Sequence, residues 1–157
     1  MNARIQIEIA PVWGVVIETK TKIKNFILEQ GVSQGNADFT EIVVSELLEN
    51  AIKYGYENNF LPHVSIKFVL ADNYISVQIS NGIMEEDDLS GFKKIMAKIQ
   101  STKNKESLYI ERLMEIMENP DAKGSQFGLF RIVSECGFDL SYSVLNNVLE
   151  VRAIKYF

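Results

Sequence analysis

The chain has 157 residues, with 16 Lys and Arg against 21 Asp and Glu, a net charge of −5 and a pI near 5.0. That length predicts one folded domain, 1–157, and 46% hydrophobic with 24% charged residues excludes a disordered, collagenous or coiled-coil chain. The acidic balance excludes nonspecific nucleic-acid binding as the main activity. The single cysteine, Cys136, asks for no disulfide, and the single histidine, His63, excludes zinc fingers and H-E-x-x-H proteases. The amino terminus lacks a secretory apolar core and no stretch of membrane-spanning length follows, so a cytoplasmic protein is expected, with neither membrane nor nucleic acid among its partners.

In chain order, residues 4–9 alternate apolar and polar and predict a strand. Val16, Ile23, Phe26 and Ile27 recur at helical spacing up to Gly31, a favourable stop. A second helix is expected from a cap at Asn36 or Asp38, along Val43, Val44, Leu47, Leu48 and Ala51, to Gly55. Two β-rich runs, Val64–Leu70 and Tyr74–Ser80, flank the short turn Ala71-Asp72-Asn73 and read as a hairpin.

After Asn81-Gly82, the acidic residues 85–88 suit the first turn of a helix, where negative charge meets the positive end of the dipole. Leu89, Phe92, Ile95, Met96 and Ile99 continue it. A further helix carries Leu108, Leu113, Ile116 and Met117 and ends at Asn119-Pro120. Gly128 opens a helix through Leu129, Ile132 and Val133 to Gly137, and a hairpin turning at Asn146-Asn147 closes the chain. Trp13 and Phe92 read as core or edge packing, and Cys136 as a small buried thiol. The order β, α, α, β, β, two inserted helices, α, β, β predicts an α/β two-layer sandwich: a mostly antiparallel mixed sheet with helices on one face.

Three segments carry candidate chemistry. On the second helix, Glu46 and Asn50 stand one turn apart on one face, with Lys53 three residues on. Asn is a modest helix former, so a mid-helix Asn needs a reason. A carboxylate one turn before a carboxamide suits a magnesium-nucleotide site, with the amide oxygen as metal ligand and the carboxylate as base. Ser80-Asn81-Gly82 ends a strand and alone reads as a turn. Gly124-Ser125-Gln126-Phe127-Gly128 precedes a helix, where backbone N–H groups can approach a phosphate, but it is not a P-loop.

In this order the three segments resemble the N, G1 and G2 boxes of the histidine-kinase-like ATPase superfamily (GHKL, the Bergerat fold). The stretches TEIVVSELLENAIKYGYENN and GLFRIVSECGFDLSYSVLNNVLEVRAIK are similar to the bacterial anti-sigma-factor serine kinases of partner-switching systems. The resemblance implies a general base at Glu46 and a magnesium ligand at Asn50. It implies a phosphate-side cation at Lys53, an adenine-side glycine at Gly82, and phosphate-loop glycines at Gly124 and Gly128. ATP and Mg²⁺ are the implied cofactors, and an anti-anti-sigma-like protein or a sigma factor the implied partner, with homodimerisation common in that branch.

The sequence departs from the family pattern. Ser80 stands where the family has an aspartate that accepts the adenine amino group, a charge-assisted bond worth about 1.5–3 kcal/mol. Gln126 replaces the middle G2 glycine, and a helical insert at about 84–120 occupies the region of the ATP lid. Three functions therefore stay open. The one preferred is a regulatory protein with a degenerate ATP site that acts by protein binding. The others are an active MgATP-dependent serine kinase and a binder of another small ligand in the same pocket.

Overall fold

The computed structural model describes residues 2–9, 13–55, 63–85, 89–102, 104–118 and 127–157. Strand β1 (Ala3–Ile9) leads to helices α1 (Trp13–Glu29) and α2 (Gln34–Tyr54), then to the hairpin β2 (Val64–Leu70) and β3 (Tyr74–Gly82). Helices α3 (Ser90–Ser101), α4 (Lys105–Glu118) and α5 (Phe127–Ser134) follow, and β4 (Asp139–Leu145) with β5 (Val148–Tyr156) ends the chain. The element order is the one expected from the sequence.

The sheet runs β1-β2-β3-β5-β4, and all four pairings are antiparallel. It is therefore wholly antiparallel rather than mixed. Each neighbouring pair is a hairpin or is joined through helices that return the chain in the opposite direction.

Successive strand residues point to opposite faces, and this decides the two layers. Ile66 and Phe68 of β2 stand beside Ile79 and Val77 of β3, and these beside Val151 and Ala153 of β5, all buried. This face carries the helices: α1 seats Phe26 edge-on against Phe68, with ring centroids 6.2 Å apart. The other face is polar, with Lys67, Gln78 and Arg152 in neighbouring register, and the Arg152 Nε donates to Ser76 Oγ at 3.2 Å.

Local signals explain the element ends. Gly31 takes φ +85° and Gly137 φ +73°, which end α1 and the α5 turn in a conformation few side chains adopt. Asn146 and Asn147, at φ 52° and 56°, form the tight β4–β5 turn that the Asn-Asn pair favours. Helix α2 is capped neither by Asn36 nor by Asp38. Ser33 Oγ accepts from the Asn36 backbone N–H, and Asp38 instead pairs with Lys24 of α1 at 2.9 Å. Lys24 also reaches Glu41 at 2.5 Å, so the cation ties α1 to α2 and holds the Asp38 carboxyl below its ordinary range.

No described helix is long and apolar enough to cross a membrane. Residues 86–88, 119 and 120 of the expected acidic helix start and helix stop, and the side chain of Trp13, lie outside the described residues. Phe92 packs as expected of an edge residue, edge-on to Tyr142 at 5.1 Å.

Candidate functional site

Helix α2 crosses the middle of the sheet because Val43, Val44, Leu47, Leu48 and Ala51 are buried along one side of it. Asn50 lies on the flank of that stripe and lines a cavity of about 60 Å³ between α2, β3, β5, α3 and α5. Asn81 lines the same cavity from β3, and the remaining walls are apolar or glycine: Leu47, Ala51, Ile79, Leu129, Leu149 and Val151 among them. Leu89, Gly91 and Phe92, at the start of α3, close it.

The two carboxamides have hydrogen-bonding capacity to spare. Asn81 is 4% exposed, and its Nδ2 donates to the Gly82 carbonyl at 3.1 Å. Asn50 makes no side-chain hydrogen bond among the described residues. Buried polar groups normally find partners, so the underused Asn81 amide at an apolar cavity needs a reason, and the half-buried Asn50 stands beside it.

Ser80 does not reach this cavity. Strand alternation sends Ile79 and Asn81 to the helix-covered face, and Ser80 to the open face, in register with Ser65 and Glu150. The position read as the replacement of an adenine-binding aspartate is thus turned away from Asn50, and its neighbour Asn81 faces inward. Gly82 ends β3, buried, with Ile83 N–H donating to the Asn147 carbonyl at 2.8 Å just beyond it. Lys53 is exposed in the last turn of α2 and does not line the cavity.

Glu46 opens on another side of α2. It borders a shallow groove with Lys20, Glu41, Ser45 and Arg131. Its carboxylate lies against the backbone of Gly128, where an added Cβ would stand 1.9 Å from Oε2. Arg131, one turn further along α5, places Nη1 3.8 Å from Glu46 Oε1 but bonds Glu135 Oε2 through Nε at 2.7 Å. Burial chiefly, and then the charge of Glu49, push the Glu46 carboxyl up; Arg131 opposes this and Glu135 adds to it. Because Arg131 is spent on Glu135, it compensates only part of that burial.

The structure therefore brings Asn50 and Asn81 to one cavity, and Glu46 and Gly128 to a contact beside it, while Ser80 and Lys53 point elsewhere. Gly124 and Gln126 lie outside the described residues. Arg131 and Glu135 carry no motif of their own in the sequence, although Arg131 follows Gly128 at i+3 and so shares its helix face.

The solved structure described as the crystal structure of the SiaB–SiaC complex from Pseudomonas aeruginosa contains a chain of similar fold. The TM-score is 0.71 at 15% identity, over 96% of this chain and 89% of that one. At that identity the likeness is one of fold. No family model matches the chain, and no curated protein matches it.

Bounded by the described residues, the cavity is smaller than a nucleotide site. Ligand pockets typically measure roughly 300–1,000 Å³, whereas about 60 Å³ is room for a handful of waters. Among the described residues no group of three His, Cys, Asp or Glu side chains is gathered to hold a metal. A magnesium ion would have Asn50 as its protein contact here.

Proposed function

We propose that this chain is a regulatory protein of the anti-sigma, partner-switching type, built on a histidine-kinase-like ATPase scaffold with a degenerate nucleotide site, and that it acts by binding a regulatory protein. The observation that carries this reading is the seating of Leu89, which precedes α3, and Phe92 of α3 against the space beside Asn50 and Asn81. The inward residue of the strand end is a neutral carboxamide, and among the described residues the cavity lining carries no carboxylate to meet an adenine amino group. The fold likeness to a chain solved in a two-protein complex supports a protein partner.

Calorimetric titration with MgATP and MgADP tests it. The expected result is no saturable heat at millimolar nucleotide. Micromolar binding that Asn50→Ala abolishes would overturn it.

A second reading, an MgATP-dependent serine kinase acting on a small anti-anti-sigma-like partner, is favoured by Glu46. Its half-buried carboxyl titrates above the ordinary range, toward the values that suit a general base. This reading needs α3 to leave the cavity, and it predicts nucleotide binding in the same titration.

A further inference from the structure

Among the described side chains of helix α4, two face the rest of the fold. Leu108 is fully buried, and Glu115 pairs with Lys98 of α3. Ile110, Leu113, Met114 and Met117 follow at i, i+3, i+4 and i+7, and they are 59%, 43%, 56% and 75% exposed. Leu113 and Met117, two of the apolar positions that mark this helix in the sequence, therefore face outward while Leu108 faces the core. Such spacing gathers four large apolar side chains into one stripe, the form taken by anchors that meet an apolar surface on another protein. Isolated exposed apolar residues need no explanation, but a contiguous stripe marks an interaction surface.

Charge narrows the choice of occupant. Glu111 and Glu118 are exposed along the margin of the stripe, and neither has an ion pair among the described residues. A second copy packed α4 against α4 would bring these carboxylates to the same seam, where like charges repel. An anionic membrane surface is repelled by the same carboxylates.

We infer that the α4 stripe of Ile110, Leu113, Met114 and Met117 is a docking surface for a partner protein that offers an apolar ridge bordered by Lys or Arg. The inference rests on the protein-binding reading above for its occupant. A nucleotide titration that overturned that reading would leave the peptide preferences below unaltered, so the two failures are distinguishable.

The test uses the full chain and two synthetic helical peptides with the same leucine stripe, one flanked by lysines and one by glutamates, read by fluorescence anisotropy. The lysine-flanked peptide should bind about tenfold more tightly or better, with the margin shrinking as salt rises. Leu113→Ser/Met117→Ser should weaken it by about tenfold or more with thermal unfolding unchanged, because both side chains are exposed. Glu111→Lys/Glu118→Lys should reverse the preference between the peptides. Equal affinity for both peptides, or binding that the α4 variants leave untouched, would overturn the inference. So would a dimer in sedimentation that Leu113→Ser/Met117→Ser dissociates, or tighter binding to phosphatidylglycerol vesicles than to the lysine-flanked peptide.

Discussion

Glu46 of α2 rests directly on Gly128 of α5, and a single added carbon at Gly128 would fall 1.9 Å from the Glu46 Oε2. The contact joins the helix that crosses the sheet to the first turn of the helix beside it. A side chain at 128 would force the Glu46 carboxylate to swing aside, whether or not a phosphate ever approaches that turn.

Gly128→Ala should therefore cost about 1 kcal/mol in urea unfolding, because the carboxylate must leave its seat. In a Glu46→Ala background the same substitution should turn neutral or stabilising, since alanine is the better helix former by up to about 1 kcal/mol. The coupling between the two sites is the checkable quantity. Equal effects of Gly128→Ala in both backgrounds would contradict the contact.

The raised Glu46 carboxyl makes a signed prediction about pH. A folded-state value above the unfolded one means that the folded protein holds this proton more tightly, so the stabilisation is complete at low pH. It is lost as pH rises through the folded value. Glu46→Gln should accordingly melt above the wild type near neutral pH, and the gap should close as pH falls to about 4. A gap that widens on acidification would show that the burial of Glu46 is not the governing effect.

Asn81 and Ser80 differ in the face they occupy, and aspartate at each should report it. Asn81→Asp puts a carboxylate into an apolar cavity where only 4% of the residue is exposed, at a cost of about 2–4 kcal/mol near neutral pH that shrinks on acidification. Ser80→Asp puts one on the open face beside Glu150 and should cost about 0.5 kcal/mol, the size of a cross-strand like-charge pair. Chemical denaturation at two pH values separates them. The reverse order of costs would place Ser80, not Asn81, at the cavity.

Cys136 is 1% exposed, and burial first, with Glu135 beside it, pushes its thiol up to about 11. The thiolate is the reactive form, so the native protein should resist alkylation at neutral pH and react only on unfolding. Rapid stoichiometric labelling of the folded chain, followed by mass spectrometry, would contradict this.

Much of the fold is legible in the residues themselves. The period-two runs of β2 and β3, the helical stripe of α2 and the Asn146-Asn147 turn each carry their own local rule, and each element forms where that rule puts it. Asp38 shows why a cap is harder to place. Several polar residues near a helix start can accept an N–H, and the choice of Ser33 was settled by Lys24 on another helix, which claims Asp38.

The site was less legible for a similar reason. Matching Ser80 by its distance to Gly82 ignores the strand parity set by Ile75, Val77 and Ile79, which turns Asn81 inward. The apolar spacing of α4 identifies a helix but not what lies opposite it. Leu108 found the core, whereas Leu113 and Met117 did not, and only the packing of α4 decides between them.

On the proposed function, α3 closes the space beside Asn50 and Asn81 against a nucleotide. Side-chain amide resonances of Asn50 and Asn81, followed by ¹H–¹⁵N NMR during addition of MgATP, test this at the two groups that face the cavity. Neither pair of resonances should move at millimolar nucleotide. A saturable shift of both would mean that α3 opens, the nucleotide enters, and the closed-site account is wrong.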